Sequence, residues 1–441
     1  MTKSVLFIAH YFPPVGGAGV QRAAKFVKYL PGCGWAPTIL TVKNPSVPLF
    51  DESLLQEIPD TVKIYKAKTL EPSYKTKQAV SASAENSNDR FSFSSAIKGV
   101  LRRIANVLLQ PDPQILWLPA AAREAKKILN NEKFDVIVAT APPFSSLILG
   151  AYLAKKFNIP LVLDYRDEWD ISNSVWENKK TGNISLAIQK RMQRYAIERA
   201  SAIVATSKMS VHALQEKTKQ TVAKPEVRCI YNGFDAEDFT EDESRAASRR
   251  KKYVLAYVGT LWNLTSIEPV VAALLKLEED FPELVDNFEL VVAGRRTAEQ
   301  EQLLSKLGMS KISVVVHDYL EHGKALDLMR EADGQLLLLS DLNMARRVIP
   351  AKIFEYMASL NSIFVVAPEG EVWELVKDYP RAFCIQPSAV EEITQLLALD
   401  IQRFLQEGQT KVSGFNPNCF ERRSLTAELS QVLELVTSTD A

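Results

Sequence analysis

The sequence has little of what metal sites, disulfide frameworks and membrane spans require. Its 441 residues include four cysteines and four histidines, and no two cysteines form a CxxC pair. This scatter argues against a zinc site and a disulfide framework, and it is typical of a reducing compartment such as the cytoplasm. No apolar run reaches the ~20 residues that a spanning helix needs. We therefore expect a cytoplasmic protein that has no metal ion and no other cofactor.

The chain also lacks net charge. Lysine plus arginine and aspartate plus glutamate number 53 each. With no overall positive charge to attract phosphates, we expect no nucleic-acid partner, and any basic surface must be local. The length exceeds what one compact core usually holds, so two domains are expected.

Short apolar runs alternate with helical patterns through most of the chain. These runs are rich in valine and isoleucine and nearly continuous, which is typical of parallel strands covered on both faces. A first series predicts strands at 5–9, 38–42, 62–67, 136–139, 161–164, 202–205 and 227–230. A second series predicts strands at 253–259, 289–294, 313–317, 335–339, 363–367 and 382–385. Two such series predict two doubly wound α/β domains.

The domain boundaries follow from composition. Residues 236–252 are dense in charge and are interpreted as a solvated linker or surface loop. We assign the first domain to residues 1–235 and the second to residues 236–418. Apolar residues recur at helical spacing in the remaining segment, 419–441, which predicts a closing helix that crosses back to the first domain.

Two segments of the first domain depart from the alternation. Residues 68–90 are polar and rich in serine, which predicts a loop. Residues 95–109 predict an amphipathic helix with a basic face. Such a helix either docks on its own domain or lies on an anionic membrane, so a peripheral membrane contact through 95–109 stays open.

The turn between the first predicted strand and the following helix is rich in glycine. Residues 10–14 read His-Tyr-Phe-Pro-Pro, and Gly16 and Gly17 follow them. Glycines at this position let backbone N–H groups approach a ligand with no side chain in the way. The spacing is not GxGxxG, so the dinucleotide fingerprint is absent. A tight turn is the alternative interpretation.

Candidate ligand-binding residues of the first domain follow two later strands. Ligands of open α/β sheets bind outside the carboxyl ends of the strands. Pro143 follows one predicted strand, and Asp164, Arg166 and Asp167 follow the next. The alternatives are a helix cap for Asp164 and a loop ion pair of ~0–1 kcal/mol for Arg166 and Asp167.

The second domain offers glycines and arginines at two strand ends. Gly259 and Gly294 would allow close approach to a ligand. Arg295 and Arg296 directly follow the second of these glycines, and a guanidinium holds phosphate through two parallel bonds. An exposed loop is the alternative interpretation for both arginines.

Residues 349–358 predict the start of a helix whose N-terminus faces a ligand. Pro350 suits the first helical position, and Ile353 and Met357 make an inward face. Lys352 and Glu355 share another face, where helix dipole and lysine attract phosphate and the carboxylate accepts from sugar hydroxyls. These features indicate a nucleotide-sugar site. The alternative is an amphipathic helix with a surface ion pair of ~0.2–0.5 kcal/mol.

Taken together, these motifs resemble family 4-type retaining glycosyltransferases of the GT-B fold, in the branch that builds bacterial surface polysaccharides. The resemblance covers nearly the whole chain. It rests on the order of Tyr11-Phe12-Pro13-Pro14 with Gly16-Gly17, Pro142-Pro143-Phe144-Ser145, Asp164-Tyr165-Arg166-Asp167-Glu168-Trp169, Tyr231-Asn232-Gly233-Phe234-Asp235, Tyr257-Val258-Gly259 and Pro350-Ala351-Lys352-Ile353-Phe354-Glu355-Tyr356. It implies two Rossmann-like domains with a nucleotide-sugar in the cleft between them. The implied reaction is transfer of a hexosyl unit to a glycan or lipid-linked acceptor on the cytoplasmic side of the membrane.

The resemblance also implies roles for individual residues. Glu355 matches the second glutamate of the family's Glu-seven-residues-Glu motif, which holds the ribose hydroxyls. The implied donor-binding residues are Gly16, Gly17, Gly259, Arg295, Arg296, Arg346, Lys352 and Glu355. The implied acceptor-binding residues are Pro143, Asp164, Arg166 and Asp167, and the implied catalytic residues are Gly17, Arg347 and Lys352.

Three departures from the family pattern keep other functions open. Arg347 stands where the motif has its first glutamate, and Thr260 and Thr265 stand where it has an arginine and lysine phosphate clamp. A histidine that often follows the fourth strand is replaced by the segment 140–143. We hypothesise that Lys352 and arginines 295, 296, 346 and 347 supply the missing charge. The alternatives are a non-catalytic GT-B protein that binds sugar nucleotides or a partner transferase, and a GT-B sugar-nucleotide epimerase.

Overall fold

The chain divides into two compact units. The first unit is Met1–Tyr231 together with Arg422–Ala441, and the second is Asn232–Glu421. The computed structural model describes residues 2–77, 107–171, 182–239, 252–342 and 344–438. The first segment of this unit ends at Tyr231, four residues before the domain boundary predicted at Asp235.

Unit 1, the first of these, contains a seven-stranded sheet in its described part. The strands are β1 Lys3–Ile8, β2 Trp35–Val42, β3 Lys63–Ala67, β4 Val136–Ala141, β5 Leu161–Tyr165, β6 Ala202–Ala205 and β7 Glu226–Cys229. They are all parallel, in the order β3-β2-β1-β4-β5-β6-β7. Each predicted strand of the first series is confirmed, with shifts only at its ends.

Unit 2, the second, contains a six-stranded parallel sheet in its described part. The strands are β8 Tyr253–Val258, β9 Phe288–Ala293, β10 Ser313–His317, β11 Gly334–Leu338, β12 Ser362–Val366 and β13 Ala382–Ile385. Their order is β10-β9-β8-β11-β12-β13. The second predicted series is confirmed as well, and the two sheets together establish the predicted GT-B type of α/β architecture.

Helices connect the parallel strands in both units, as parallel pairing requires. They are α1 Ala18–Tyr29, α2 Ser53–Gln56, α3 Leu118–Asn131, α4 Ser145–Phe157, α5 Trp169–Ile171, α6 Asn183–Ile197, α7 Lys208–Thr218, α8 Glu268–Asp280, α9 Pro282–Val285, α10 Ala298–Ser305, α11 His322–Glu331, α12 Lys352–Ser359, α13 Glu371–Val376, α14 Val390–Glu407 and α15 Arg422–Ser438. Within the described residues, no helix combines the length and apolarity needed to cross a bilayer.

The alternating faces of β1 explain why its apolar run is continuous. Val5 and Phe7 point into one core cluster, and Leu6 and Ile8 point into another on the opposite face of the sheet. All four side chains are fully buried. A strand covered on both faces needs apolar residues at every position, which is the pattern that predicts a parallel sheet.

The C-terminal helix α15 belongs to unit 1. Leu425, Leu429 and Val432 are buried in the cluster that also contains the apolar side chains of α1. Lys3 Nζ at the start of β1 donates to Thr437 Oγ1 at 2.9 Å. The last helix therefore completes the core of the unit that contains the first strand.

Three predicted segments fall wholly or partly outside the described residues. Of the predicted loop 68–90, residues 78–90 lie outside, and of the predicted helix 95–109, residues 95–106 do. The predicted linker 236–252 begins with the 3₁₀ turn Ala236–Phe239, and its residues 240–251 lie outside.

Strand order reverses at one point in each sheet. The reversal lies between β1 and β4 in unit 1 and between β8 and β11 in unit 2. Connections from the two strands beside such a point run to opposite sides, which opens a crevice at their carboxyl ends. The glycine turn after β1, Pro143 after β4 and Gly259 after β8 all lie beside a reversal point of their own sheet.

Candidate functional site

The glycine turn of unit 1 is held by backbone bonds on one side and is open on the other. The Gly16 N–H donates to the Leu49 carbonyl at 3.2 Å, and a Cβ on Gly16 would lie 2.9 Å from the Leu49 side chain. Gly17 has φ +102°, and a Cβ there would meet nothing within 4 Å. The N–H of Gly16 is therefore occupied by its bond to Leu49, and Gly17 is the residue that borders open space.

Helix α1 starts directly after this turn without a capping side chain. Gly17 occupies the N-cap position, and no acidic residue lies in the first turn. The N–H groups at the start of a helix lack partners within the helix and carry partial positive charge. The first turn of α1 is therefore suited to an anionic ligand.

Asp164 lies in β5, one residue before the strand ends, and its side chain is buried. Arg22 of α1 donates from Nε to Asp164 Oδ1 at 3.0 Å, and its Nη2 lies 2.9 Å from the same oxygen. Thr140 Oγ1 donates to Asp164 Oδ2 at 2.8 Å. The side chains of Arg22 and Asp164 are each 1% exposed. Both carboxylate oxygens have protein partners, so Asp164 is the counter-ion of Arg22, which is neither of the interpretations that its sequence context suggested.

Arg166 also contacts α1. It donates from Nη1 to the carbonyl of Gly19, and its Nε lies 3.3 Å from Asp167 Oδ2. The loop ion pair that stood as the alternative is therefore present. The carboxylate of Asp167 is 35% exposed, whereas the Arg166 side chain is 15% exposed. Of the four acceptor-side candidates, Asp167 is the one whose carboxylate is accessible, because Pro143 is buried.

His10 is a feature of the unit 1 edge that sequence reasoning did not select. It lies two residues after the end of β1, is 1% exposed and packs edge-on against Tyr11 and Trp117 at centroid distances of 4.7 and 4.9 Å. Burial, with a smaller contribution from Lys77, lowers the pKa of His10 to about 3. The imidazole is therefore neutral near pH 7. A single histidine after an apolar run gives no sign of burial, since the covering Trp117 is distant in sequence.

In unit 2, the two candidate glycines contact each other. Gly294 has φ +132°, and a Cβ there would overlap the carbonyl oxygen of Gly259. The Gly259 N–H donates to the Ala293 carbonyl at 2.9 Å. The close approach predicted for Gly294 is thus between two strand ends, while Gly259 remains at the reversal point between β8 and β11.

The threonines at the expected phosphate-clamp positions are bound to their own loop. Thr265 Oγ1 and Tyr257 Oη donate to the Thr260 carbonyl at 2.6 and 3.0 Å. Burial raises the pKa of Tyr257 to about 12, so its hydroxyl stays neutral. This loop therefore contributes no positive charge, and cations for a phosphate must come from other segments.

The two adjacent arginines after β9 differ in their surroundings. Arg296 donates from Nη1 to the His317 carbonyl at 2.8 Å, and its Nη2 lies 3.0 Å from Asp318 Oδ1. Its side chain is only 9% exposed, so it joins the carboxyl ends of β9 and β10. Arg295 is exposed and is the arginine of this pair with access to a ligand.

Helix α12 brings Lys352 and Glu355 together. The helix begins at Lys352 with Ala351 as N-cap, so the predicted start at Pro350 is two residues too early. Lys352 Nζ lies 2.6 Å from Glu355 Oε2, with the side chains 25% and 14% exposed. Ile353 and Met357 are fully buried, which confirms the inward face. Both charged groups thus lie in the first turn of α12, beside the chain that leaves β11.

Arg346 and Arg347 form a 3₁₀ turn shortly before α12. The turn spans Ala345–Arg347 and is packed against Gly370, because a Cβ on Gly370 would overlap the Arg346 carbonyl oxygen. The Arg346 side chain is exposed and that of Arg347 is half-buried. Within the described residues, no cluster of histidine, cysteine, aspartate and glutamate side chains is arranged to hold a metal ion.

A family model matches part of the chain. Residues 79–238 match the model described as Glycosyltransferase Family 4. This segment, which is less than half of the chain, is therefore similar to family 4 glycosyltransferases. No curated protein matches the chain in sequence.

The chain is similar to several solved structures. It resembles HepE from Anabaena in complex with UDP-glucose, with 14% identity, a TM-score of 0.57 and coverage of 99% of this chain and 97% of that one. It resembles trehalose 6-phosphate synthase from Burkholderia multivorans with 10% identity, a TM-score of 0.63 and full coverage of both chains. It also resembles WaaG, a glycosyltransferase involved in lipopolysaccharide biosynthesis, with 12% identity, a TM-score of 0.54 and 99% and 98% coverage. At these identities the likeness shows a shared GT-B fold.

Proposed function

We propose that this glycosyltransferase moves a hexosyl unit, with retention, from a nucleotide diphosphate donor to a glycan or lipid-linked acceptor of a surface polysaccharide. The observation that carries the donor assignment is the Lys352–Glu355 pair in the first turn of α12, the helix that follows β11. One side chain supplies positive charge and the other supplies hydroxyl acceptors, which together match a nucleotide sugar. HepE and WaaG, which share the fold, support a donor and a pathway of this kind.

In this reaction the donor diphosphate leaves as an anion. Unit 2 binds the donor, with Lys352 and the N–H groups of the first turn of α12 stabilising the charge that develops on the leaving phosphate. Glu355 holds the ribose, and Gly259, Arg295 and Arg346 border the same strand ends. Preoriented donors of this kind act without a metal.

Two further residues complete the proposed catalytic set. Gly17 borders open space at the start of α1 and offers room for the reacting sugar close to backbone N–H groups. Arg347 replaces the first glutamate of the family motif and adds positive charge near Lys352 along the chain. Asp167 supplies the accessible carboxylate for acceptor hydroxyls.

Incubation with a panel of nucleotide sugars tests the proposal. Purified protein is mixed with UDP-, GDP- and dTDP-hexoses, and thermal stability and released nucleotide diphosphate are both measured. Selective binding to the folded protein must raise thermal stability. We expect one nucleotide class to stabilise the protein and its sugar to be slowly hydrolysed or transferred. Stabilisation without turnover would support the non-catalytic alternative, and an isomerised donor would support an epimerase.

A membrane contact through residues 95–109 belongs to the same proposal. A lipid-linked acceptor would place the enzyme on the inner face of the membrane, where a basic amphipathic helix binds anionic lipid. Flotation with anionic liposomes compares the wild type with Ile97→Asp and Leu101→Asp. We expect the wild type to float with the liposomes and both variants to remain in the protein fraction that does not float. Equal behaviour of all three proteins would remove the membrane contact from the proposal.

A further inference from the structure

The segment that follows β5 contacts the first turns of α1 at two points. One point is the ion pair between Asp164 and Arg22, and the other is the bond from Arg166 to the carbonyl of Gly19. Arg22 and Gly19 both lie within two turns of Gly17, at the N-terminal end of the helix. The two contacts therefore act on the part of α1 that carries the glycine turn.

The first contact joins several elements of unit 1 through one guanidinium. Besides Asp164, Arg22 donates from Nη1 to the Tyr231 carbonyl at 2.8 Å. Asp164 in turn accepts from Thr140 at the end of β4. The fork of a guanidinium fixes direction as well as distance, so this pair fixes α1 against the ends of β4 and β5.

The second contact explains why residue 19 is a glycine, which the shape of the ligand-facing turn does not explain. A Cβ on Gly19 would lie 3.0 Å from Arg166 Nη1, closer than an ordinary van der Waals contact. A side chain at position 19 therefore requires the guanidinium to shift by a few tenths of an ångström. Gly16 and Gly17 shape the turn, whereas Gly19 makes room for the arginine.

Backbone bonds hold the turn on its Gly16 side, where the Gly16 N–H donates to the Leu49 carbonyl. On the other side, helix α1 has no capping side chain. Contacts further along the helix therefore help to set the location of its first N–H groups. The two contacts described above are placed to do so.

We propose that Arg22, Asp164 and Arg166 are positioning residues that hold the first turn of α1, and with it Gly17, in the location that the reacting sugar requires. This inference rests on the proposed function, in which Gly17 faces the donor. It assigns Asp164 and Arg166 an indirect role and leaves acceptor binding to other side chains. A small displacement of a group in contact with the reacting atoms is enough to lower the rate roughly 10²-fold.

The test separates positioning from stability through a paired substitution. Arg22→Met and Asp164→Leu each remove one half of the buried ion pair and leave the other charge buried, whereas the double variant removes both charges. Replacing a buried ion pair by apolar residues is often neutral for stability. We expect each single variant to lower the melting temperature and the double variant to restore most of it. Turnover of the donor identified by the panel should stay roughly 10²-fold low in kcat in all three.

A second ion pair on the same helix provides the control. Lys25 is one turn further along α1, its side chain is 3% exposed, and it pairs with Glu57. Lys25→Met should lower stability without a comparable loss of kcat. Gly19→Ala should lower kcat with little change in KM, because it displaces Arg166 and touches no substrate group. Recovery of wild-type kcat in the stable double variant would overturn the proposal.

Hydrogen exchange tests the inference even if the wild type turns over no donor. The amides of residues 21–24 bond to the carbonyls of residues 17–20, so their exchange reports opening of the first turn. We expect faster exchange at these amides in the double variant and in Gly19→Ala, and unchanged exchange there in Lys25→Met. Wild-type exchange in the first two variants would refute the positioning role, whereas a wild type that binds no nucleotide sugar would refute the proposed function alone.

Discussion

The two units place charge differently at the carboxyl ends of their sheets. In unit 1 the charges beside the reversal point are buried, with Arg22 and Asp164 each 1% exposed. In unit 2 Lys352 and Glu355 are 25% and 14% exposed, and they pair with each other along one helix. A buried pair that links separate elements fixes structure, whereas a half-buried pair within one turn can exchange its partner for a ligand. The same kind of ion pair therefore has different consequences depending on how deeply its side chains are buried.

Breaking the buried pair should have the largest effect on stability. Asp164→Ala leaves the Arg22 guanidinium without its counter-ion, and such a change costs roughly 3–5 kcal/mol of the free energy of unfolding. Urea unfolding followed by circular dichroism measures it. The matched control is Lys63→Ala, which breaks an exposed pair with Glu132 and should change stability little. Equal losses in the two variants would contradict the distinction by depth.

Removing the half-buried lysine should affect catalysis instead. Lys352→Ala deletes a cation that stabilises the leaving diphosphate, and the loss of one such donor costs about 2.7–4 kcal/mol of transition-state stabilisation, or 10²–10³ in kcat. The fold should survive, as circular dichroism would verify. Lys377→Ala is the control. Lys377 also forms an ion pair with a glutamate three positions away, Glu374, but both of these side chains are exposed. Turnover of Lys352→Ala within a few-fold of the wild type would contradict its role.

The buried imidazole of unit 1 should make stability depend on pH. The pKa of His10 falls from 6.5 to about 3 on folding, so between these values the unfolded chain binds the extra proton. Stability contributed by neutral His10 is therefore complete above pH 6.5 and is lost as pH falls toward 3, with a slope of at most about 1.4 kcal/mol per pH unit.

The measurement is the free energy of unfolding between pH 7 and pH 4 for the wild type and His10→Phe. We expect the variant to lose less stability over this range, because phenylalanine binds no proton. The exposed His212 provides the control, and His212→Phe should follow the wild-type curve. Parallel curves for all three proteins would show that burial of His10 does not govern the acid response.

The smallest effect should come from the ribose acceptor of unit 2. Glu355→Gln keeps a carbonyl acceptor but loses the charge and the partner of Lys352, so donor affinity should fall by about 1 kcal/mol. Isothermal titration with the nucleotide found in the panel measures it. An unchanged affinity would remove Glu355 from the donor site and leave the pair with Lys352 as a feature of the helix alone.

Continuous apolar runs and helical patterns in the sequence determined most of the fold. Thirteen predicted strands are found, and the inward face of α12 through Ile353 and Met357 is confirmed. The spacing of apolar residues shows which face of a helix or strand is buried, and a continuous apolar run indicates burial on both faces. Neither pattern reports which charged residues meet. The start of α12 was placed two residues too early because Pro350 suits a first helical position but does not require one.

Tertiary structure alone decided the roles of the charged residues at the strand ends. Asp164 and Arg22 are 142 positions apart, and Arg296 reaches the end of β10 more than twenty residues away. The sequence showed Asp164 and Arg296 at or just after the ends of predicted strands, where free and paired charges look the same. Only the fold brought Arg22 beneath β5, because the strand order β1-β4-β5 sets which strand ends α1 lies against. The sequence by itself thus determined where the strands end, and packing determined which charges at those ends remain accessible.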